Sequence, residues 1–469
     1  RAARHILSAC GAVPQAAPLT ACAPNHPRLI LAWSVPEGIG AAMILPMAKG
    51  PTVANSSGAP RVAAFGIRGG VQASGAALGP MLGGFLTSYL TWRLGFGMHV
   101  VIMTLALLAG RSLRQPERNR EAKLDLVGTA ISTTGLMLIV LGVLLAGRYG
   151  LVTARRKLTV GDTELDLWGL SPTPILVLIG LGVLVGFAHW QRRVQRSGGE
   201  PLLRLHILRN GGFMSSVSTD TLRQLALAGV LFIIPVFTQS VLGFSAIQSG
   251  LAVLPFSVMV FVLSMTTAGL AQRIAPKWLM LGGLGAFWAG VVLLRAITDA
   301  EMGIGDFVIP MGIMGLGVGL FVAQVVNLTI SQVEPGERNE GAGTHNTFRE
   351  LGSSLGTAVI GAVLLTGVFS NVSDAILQAE GAAPSEQERE QLAVAIEDAN
   401  EKVSPEDGEK AIAELPEAQA VEVVALVERA QVDAMKRALD WTAGFIAVGV
   451  LVATFLPGNK KEEPEEIPR

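Results

Sequence analysis

In the apolar run STDTLRQLALAG, Asp220 and Arg223 stand three residues apart, with Gln224 beside them. Residues at that spacing share a helix face, so the carboxylate and guanidinium can pair along it. Charge inside an apolar segment is expensive and tends to mark function. Two chemistries fit. The pair can exchange partners as two halves of a protein rock, or it can be self-neutralised and tolerated beside a water-filled cavity. A second pair, Arg349 and Glu350, opens a later apolar run and suits either a gate salt bridge or an interfacial ion pair. His345, just upstream, can titrate near neutral pH or sit at an interface. Gln239, Gln324 and Asn327 are neutral polar groups that suit the lining of a path. Trp33, Trp288, Phe232 and Phe237 can stack on an aromatic or cationic ligand, or pack and face lipid as most such aromatics do.

These residues need elements that hold them in apolar surroundings. Half of the 469 residues are hydrophobic and 16% are charged, against about a quarter charged in a soluble chain. The apolar residues fall in blocks of roughly 18 to 25, the length of a membrane-crossing helix. Twelve spans are predicted, at 5–24, 29–49, 63–89, 94–110, 124–146, 172–190, 213–240, 245–270, 277–296, 304–330, 342–369 and 439–457. The fold class is therefore an all-α polytopic membrane protein set in a lipid bilayer. The first span is the weakest, because Pro14, Gln15 and Pro18 interrupt it.

An even number of spans puts both termini on one side, and basic residues choose the side. Segments 111–123 and 191–210 hold five Lys/Arg each and share a side by parity, which predicts a cytoplasmic membrane protein with both termini cytoplasmic. Segment 371–437, with sixteen acidic and six basic residues, then lies outside as a helical cap or hairpin. It can cap an exit, bind a partner protein or be a solvated loop. Segment 148–166 runs against the scheme, since its four Lys/Arg also fall outside, softened by three acidic residues.

Several function classes are excluded. The chain has no phosphate-binding P-loop, no HExxH and no GxSxG, and no nucleic-acid-binding patch. Its two cysteines, Cys10 and Cys22, lie in one apolar block and read as small core residues rather than a disulfide or metal pair. No enzyme chemistry, metal or cofactor is expected. Any work must draw on an ion gradient.

The stretch QASGAALGPMLGGF places Gly75, Gly79 and Gly83 at four-residue intervals, followed by Gly84, with Pro80 among them. Four-residue spacing makes a smooth helix face, and small residues let helices approach closely in lipid. Pro80 removes one helix hydrogen bond and bends the span. Together with TSYLTWRLGF (87–96), this stretch resembles the antiporter motif of the major facilitator superfamily, in its drug:proton antiporter branch with fourteen spans. Five other segments resemble the family in order: EGIGAAMILP (37–46), LDLVG (124–128), EPLLRLHILRNGGF (200–213), FSAIQSGLAVLP (244–255) and FRELGSSLGTAVIGAVLL (348–365).

The resemblance places the glycine stretch in the family's fifth span, so the twelve visible spans correspond to family spans 3–14 and the first two are expected to be missing. It implies residues 1–110 as the remainder of an N-terminal bundle and 111–210 as two linker spans. Residues 211–370 and 438–469 would form the C-terminal bundle and tail, with 371–437 as the external segment. In the fourth-span motif, Ser34 stands where the family usually has arginine and Glu37 where glutamine is usual, ahead of Gly38 and Gly40. The arginine is associated with proton coupling. Glu37 can substitute as a protonatable group, because a buried carboxylate is more easily kept neutral, or it can be drift in a variant copy. His99 stands where asparagine is usual and suits a polar packing contact.

What the resemblance implies is proton-coupled export of amphipathic or cationic small molecules such as drugs, by alternating access about a midplane site. The partners are then the small-molecule substrate and protons. Two other readings stay open: export of a native metabolite, lipid or antibiotic, and a non-transporting sensor or truncated remnant.

Overall fold

The computed structural model describes Gly75, Gly79 and residues 82–91, 93–110, 125–156, 158–160, 163–165, 168–270, 273–379, 389, 391–396 and 416–458. Residues 82–89 are helical. They are followed by α1 (Arg93–Gly110), α2 (Leu126–Tyr149), a small hairpin of β1 (Leu158–Val160) and β2 (Thr163–Leu165), and α3 (Pro172–Arg196). Then come α4 (Gly211–Ser240), α5 (Ala246–Leu270), α6 (Pro276–Ile297), α7 (Val308–Ser331), α8 (Arg338–Ala379) and α9 (Glu417–Ala453). Seven helical stretches among the described residues are long and apolar enough to cross a membrane. The spans expected at 5–24 and 29–49 lie outside the described residues, and the one at 63–89 is described only in part.

Local sequence sets the helix starts. Asp125 caps α2 by accepting from the Gly128 amide at 2.8 Å. Ser171 caps α3 ahead of Pro172, a residue suited to the first helical turn because it has no amide to leave unpaired. Asn210 caps α4 through the amides of Gly212 and Phe213, and its own amide group donates to the Gln332 carbonyl at 2.8 Å.

Two packing units follow. In α2, Gly128, Gly135 and Gly142 recur every seven residues and are buried. A side chain at Gly135 would strike Leu184, and one at Gly142 would press on Val177 and Leu176, so α2 and α3 lie with their backbones close together. Helices α4 to α9 share one apolar core that includes Ile233, Phe287, Met311, Ile360 and Leu439. The α2–α3 pair joins this group along α8, where Gly147 faces Ala362. The two ends of the molecule are named here for what sits on them. The hairpin end carries β1 and β2, and the clamp end carries the start of α4 and the α7–α8 junction.

The structure adds detail to two of these segments. Segment 148–166 contains a two-stranded antiparallel hairpin, with Leu158 opposite Leu165. Its arginines are engaged: Arg155 donates to the Thr366 hydroxyl at 3.3 Å, and Arg156 donates to the Val394 carbonyl at 3.4 Å. These contacts tie the hairpin end to α8 and to the segment around Val394. At the two ends of segment 371–437, α8 runs on to Ala379 and α9 already begins at Glu417. Both helices extend past the apolar limits read at 369 and 439.

Candidate functional site

The best-formed polar cluster among the described residues lies inside the α4–α9 group. It begins with a close approach of α4 and α8. A side chain at Gly352 would meet the Thr221 carbonyl at 2.5 Å, and one at Gly356 would collide with that of Leu225. One turn further along, Gly229 sits under Ile360. These contacts place Asp220 opposite His345.

Asp220 accepts from Arg223 Nε at 2.8 Å through Oδ1, and from His345 Nε2 at 2.7 Å through Oδ2. Arg223 also donates through Nη2 to the Gln224 side-chain oxygen at 2.8 Å. Its guanidinium carbon lies 5.3 Å from the centre of the Phe321 ring on α7, a cation–π arrangement. Asp220, Arg223 and His345 are 1%, 3% and 2% exposed, so water does not screen them. Arg223 Nη1 has no hydrogen-bond partner among the described residues.

The charge state of this group is constrained. An ionised carboxylate accepts only, so beside ionised Asp220 the His345 Nε2 carries hydrogen. With a neutral ring, Asp220 and Arg223 cancel. Adding a proton at either His345 or Asp220 leaves the cluster with one net positive charge. A buried net charge is costly.

A second polar cluster closes the clamp end. Glu337 accepts from Arg204 Nη1 at 2.6 Å and pairs with His206 Nε2 at 2.8 Å, while Glu340 accepts from the Arg204 amide at 3.2 Å. The hydrogen bond from Arg204 is the main influence holding the Glu337 carboxyl below its usual range. The same bond, with Glu340 nearby, raises Arg204. This cluster fastens the approach to α4 onto the α7–α8 junction.

Comparison with known proteins places the chain. The sequence profile described as Major Facilitator Superfamily matches residues 1–357. The chain belongs to the major facilitator superfamily. Members of this superfamily are transporters, not enzymes. The chain is 31% identical to puromycin resistance protein pur8 of Streptomyces alboniger over 373 residues, covering 78% of this chain and 68% of that one. It is 28% identical to the probable actinorhodin transporter of Streptomyces coelicolor, covering 70% of this chain and 57% of that one. It is 25% identical to the tetracenomycin C resistance and export protein of Streptomyces glaucescens, covering 93% and 76%. The chain thus spans little more than half to about two thirds of the first two relatives' length.

Within this superfamily member, the residues singled out from sequence scatter. Asp220, Arg223 and Gln224 come together. Arg349 and Glu350 pair at 2.7 Å with Glu350 largely exposed, away from the buried cluster. Gln324 is buried on the Phe321 face of α7, whereas Asn327 and Gln239 are exposed. Trp288 and Phe232 are partly exposed and Phe237 is buried in the core. His99 is half-buried on α1. Ser34, Glu37, Gly38, Gly40, Pro80 and Trp33 lie outside the described residues. Among the described residues, a side chain at Gly75, Gly79 or Gly83 would meet nothing within 4 Å. It is Gly84 that makes the close contact, against the backbone of Ala246 and Ile247 at the start of α5.

Sequence reasoning left His345 between a titrating and an interfacial group and overlooked Phe321 and the Glu337 clamp. A signal for His345 was present. It shares spacing with Gly341, Gly352 and Gly356, all buried on one stripe of α8. A histidine on a stripe otherwise made of glycine faces a neighbouring helix.

Proposed function

We propose that this superfamily member is a secondary active exporter that couples outward movement of amphipathic or cationic small molecules to inward movement of protons. The observation that carries the reading is the buried Asp220–Arg223–His345 cluster in the membrane core. A cluster near electrical balance admits a proton only with a change in surroundings, and rocking of two bundles supplies such a change. A proton and a cationic substrate both add positive charge, so each disfavours the other and exchange follows. The relatives' names, which speak of resistance and export, support the outward direction.

In this reading the protein lies in the cytoplasmic membrane with the clamp end and both termini inside, as the basic segments 111–123 and 191–210 favour. Residues 1–110 form one bundle, 111–210 a linker pair, and 211–370 with 438–469 the second bundle. The shared core of α4–α9 supports the last of these. Gly75, Gly79, Pro80, Gly83 and Gly84 form the helix that closes against the second bundle, and Arg349–Glu350 borders the inner mouth. Gln239, Gln324 and Asn327 line part of the path, and Glu37 is a further protonatable group.

A second reading within export is favoured by the names of two relatives, which specify actinorhodin and tetracenomycin C. On that reading the cargo is a native aromatic antibiotic. Both are tested by reconstituting the full-length protein in liposomes with an imposed pH gradient. Gradient-driven movement of cationic dyes supports the first reading, and selective movement of aromatic polyketides supports the second. Equal retention of both ligand classes with and without the gradient overturns proton-coupled export.

A further inference from the structure

A groove of about 450 Å³ lies between α2 and α3, toward the end of α3 that carries its arginines. Its apolar part is lined by Ile131, Val183 and Gly186, and its polar part by His189, Trp190 and Arg193. Four of these, Val183, Gly186, Trp190 and Arg193, follow helical spacing along one stripe of α3. We propose that this groove is a binding site for an anionic phospholipid, with the phosphate on Arg193 and an acyl chain along Gly186 and Ile131.

Four observations converge on that ligand. The α2 and α3 spans are the least buried of the seven, so this face of the pair meets lipid. Arg193 lies 21 residues along α3, which at a 1.5 Å rise is about 31 Å from its start. That distance matches the thickness of the hydrocarbon core and puts the guanidinium at headgroup depth. Arg192, Arg193 and Arg196 are all exposed there, and among the described residues none has a carboxylate partner. The groove walls are also fixed in advance. Trp190 Nε1 donates to both carboxylate oxygens of Asp125, at 3.0 and 3.2 Å, and His189 Nδ1 donates to the Val185 carbonyl at 2.9 Å.

The apolar floor has room for a chain. A side chain at Gly186 would meet nothing within 4 Å, so the glycine leaves open space beside Val183. Asp125 does not repel the headgroup as an uncommitted charge would, since the amide of Gly128 and the side chains of Trp190 and Gln191 already donate to it. A zwitterionic lipid would fill the same groove but gain little from three arginines that have no carboxylate partner among the described residues. The proposal rests on α2 and α3 crossing the membrane and is independent of what the protein exports.

The test is native mass spectrometry of the purified full-length protein, equilibrated with phosphatidylglycerol and phosphatidylcholine of matched chain length. Wild type is expected to retain phosphatidylglycerol in preference. Each arginine near a membrane surface contributes roughly fivefold to anionic-lipid binding, so Arg193→Gln with Arg196→Gln lowers that preference on the order of 25-fold, and Arg193→Lys largely preserves it. Gly186→Leu fills the groove with the charges intact and displaces the bound lipid. Equal retention of the two lipids, phosphatidylglycerol retention unchanged in the double variant, or retention indifferent to Gly186→Leu each overturns the proposal. So does binding of glycerol phosphate as tight as that of phosphatidylglycerol, which would reveal an anion site without a lipid groove.

Discussion

Replacing Asp220 by Asn removes one charge from the α4–α8 cluster while keeping its shape. The structure fixes what is left behind. Arg223 is 3% exposed, keeps Gln224 and Phe321 as neighbours, and already has Nη1 unpaired. Stripping the partner from a buried ion pair costs about 3–5 kcal/mol, because the surviving charge is neither hydrated nor balanced. For a unit of roughly 150–250 residues, each kcal/mol shifts the melting temperature by roughly 2–4 °C, so a fall of about 6–20 °C is expected. Asp220→Asn with Arg223→Met removes both charges and is expected to recover most of that loss. The assay is apparent melting of the detergent-solubilised full-length protein at pH 7, alongside gradient-driven efflux. A fall of less than about 2 °C in the single variant, or a double variant as unstable as the single, refutes the electrostatic reasoning. A double variant that melts normally and still exports with full pH dependence would make the cluster structural and remove it from proton coupling.

His345→Asn retains a donor toward Asp220 but cannot carry a second proton, and is expected to flatten the pH dependence of efflux while leaving melting within about 1–2 kcal/mol of wild type. An unchanged pH profile would count against His345. Glu337 has its carboxyl depressed by the Arg204 hydrogen bond, so its contribution is present above the unfolded value of about 4.3 and is lost as pH falls through the lower folded value. Glu337→Gln should therefore lower melting at pH 7, by about 1 kcal/mol given the partly exposed Arg204, and have less effect near pH 3. A deficit that does not shrink on acidification would contradict this. Gly84→Val forces a side chain into the backbone of Ala246 and Ile247 and is expected to cost about 1–3 kcal/mol by overpacking and to abolish transport. Gly84→Val with wild-type transport would remove that contact from the cycle. Arg349→Gln removes an ion pair whose carboxylate partner is largely exposed and should lower stability by no more than about 1 kcal/mol, measured by melting.

The limits of the sequence reading follow from distance along the chain. Asp220 and Arg223 were legible as a pair because a helix fixes residues three apart. His345 is 125 positions away from Asp220, and only the packing of α4 on α8 brings it near. Span edges from 172 to 330 were read to within a few residues, apart from the end of α3, because hydropathy and helix end together there. They part at the end of α8, where the helix runs on through SNVSDAILQA, and ahead of the apolar part of α9, where Ala, Glu and Gln favour helix before the apolar stretch begins. The hairpin also had a signal, since LTVGDTEL places strand-forming residues around Gly161-Asp162. Its basic neighbours drew attention to charge instead.

Helix α8 is 42 residues long, which at 1.5 Å per residue is about 63 Å, roughly twice the hydrocarbon thickness. Because one rod joins His345 to Ala379 at the far end of the helix, it acts as a pointer. A tilt of about 10° around its clamp end would carry its far end through about 11 Å. Spin labels on the outer part of α8 and on the hairpin loop would therefore report events at the buried histidine from outside the membrane. The protein carries its own gauge, readable without entering the site.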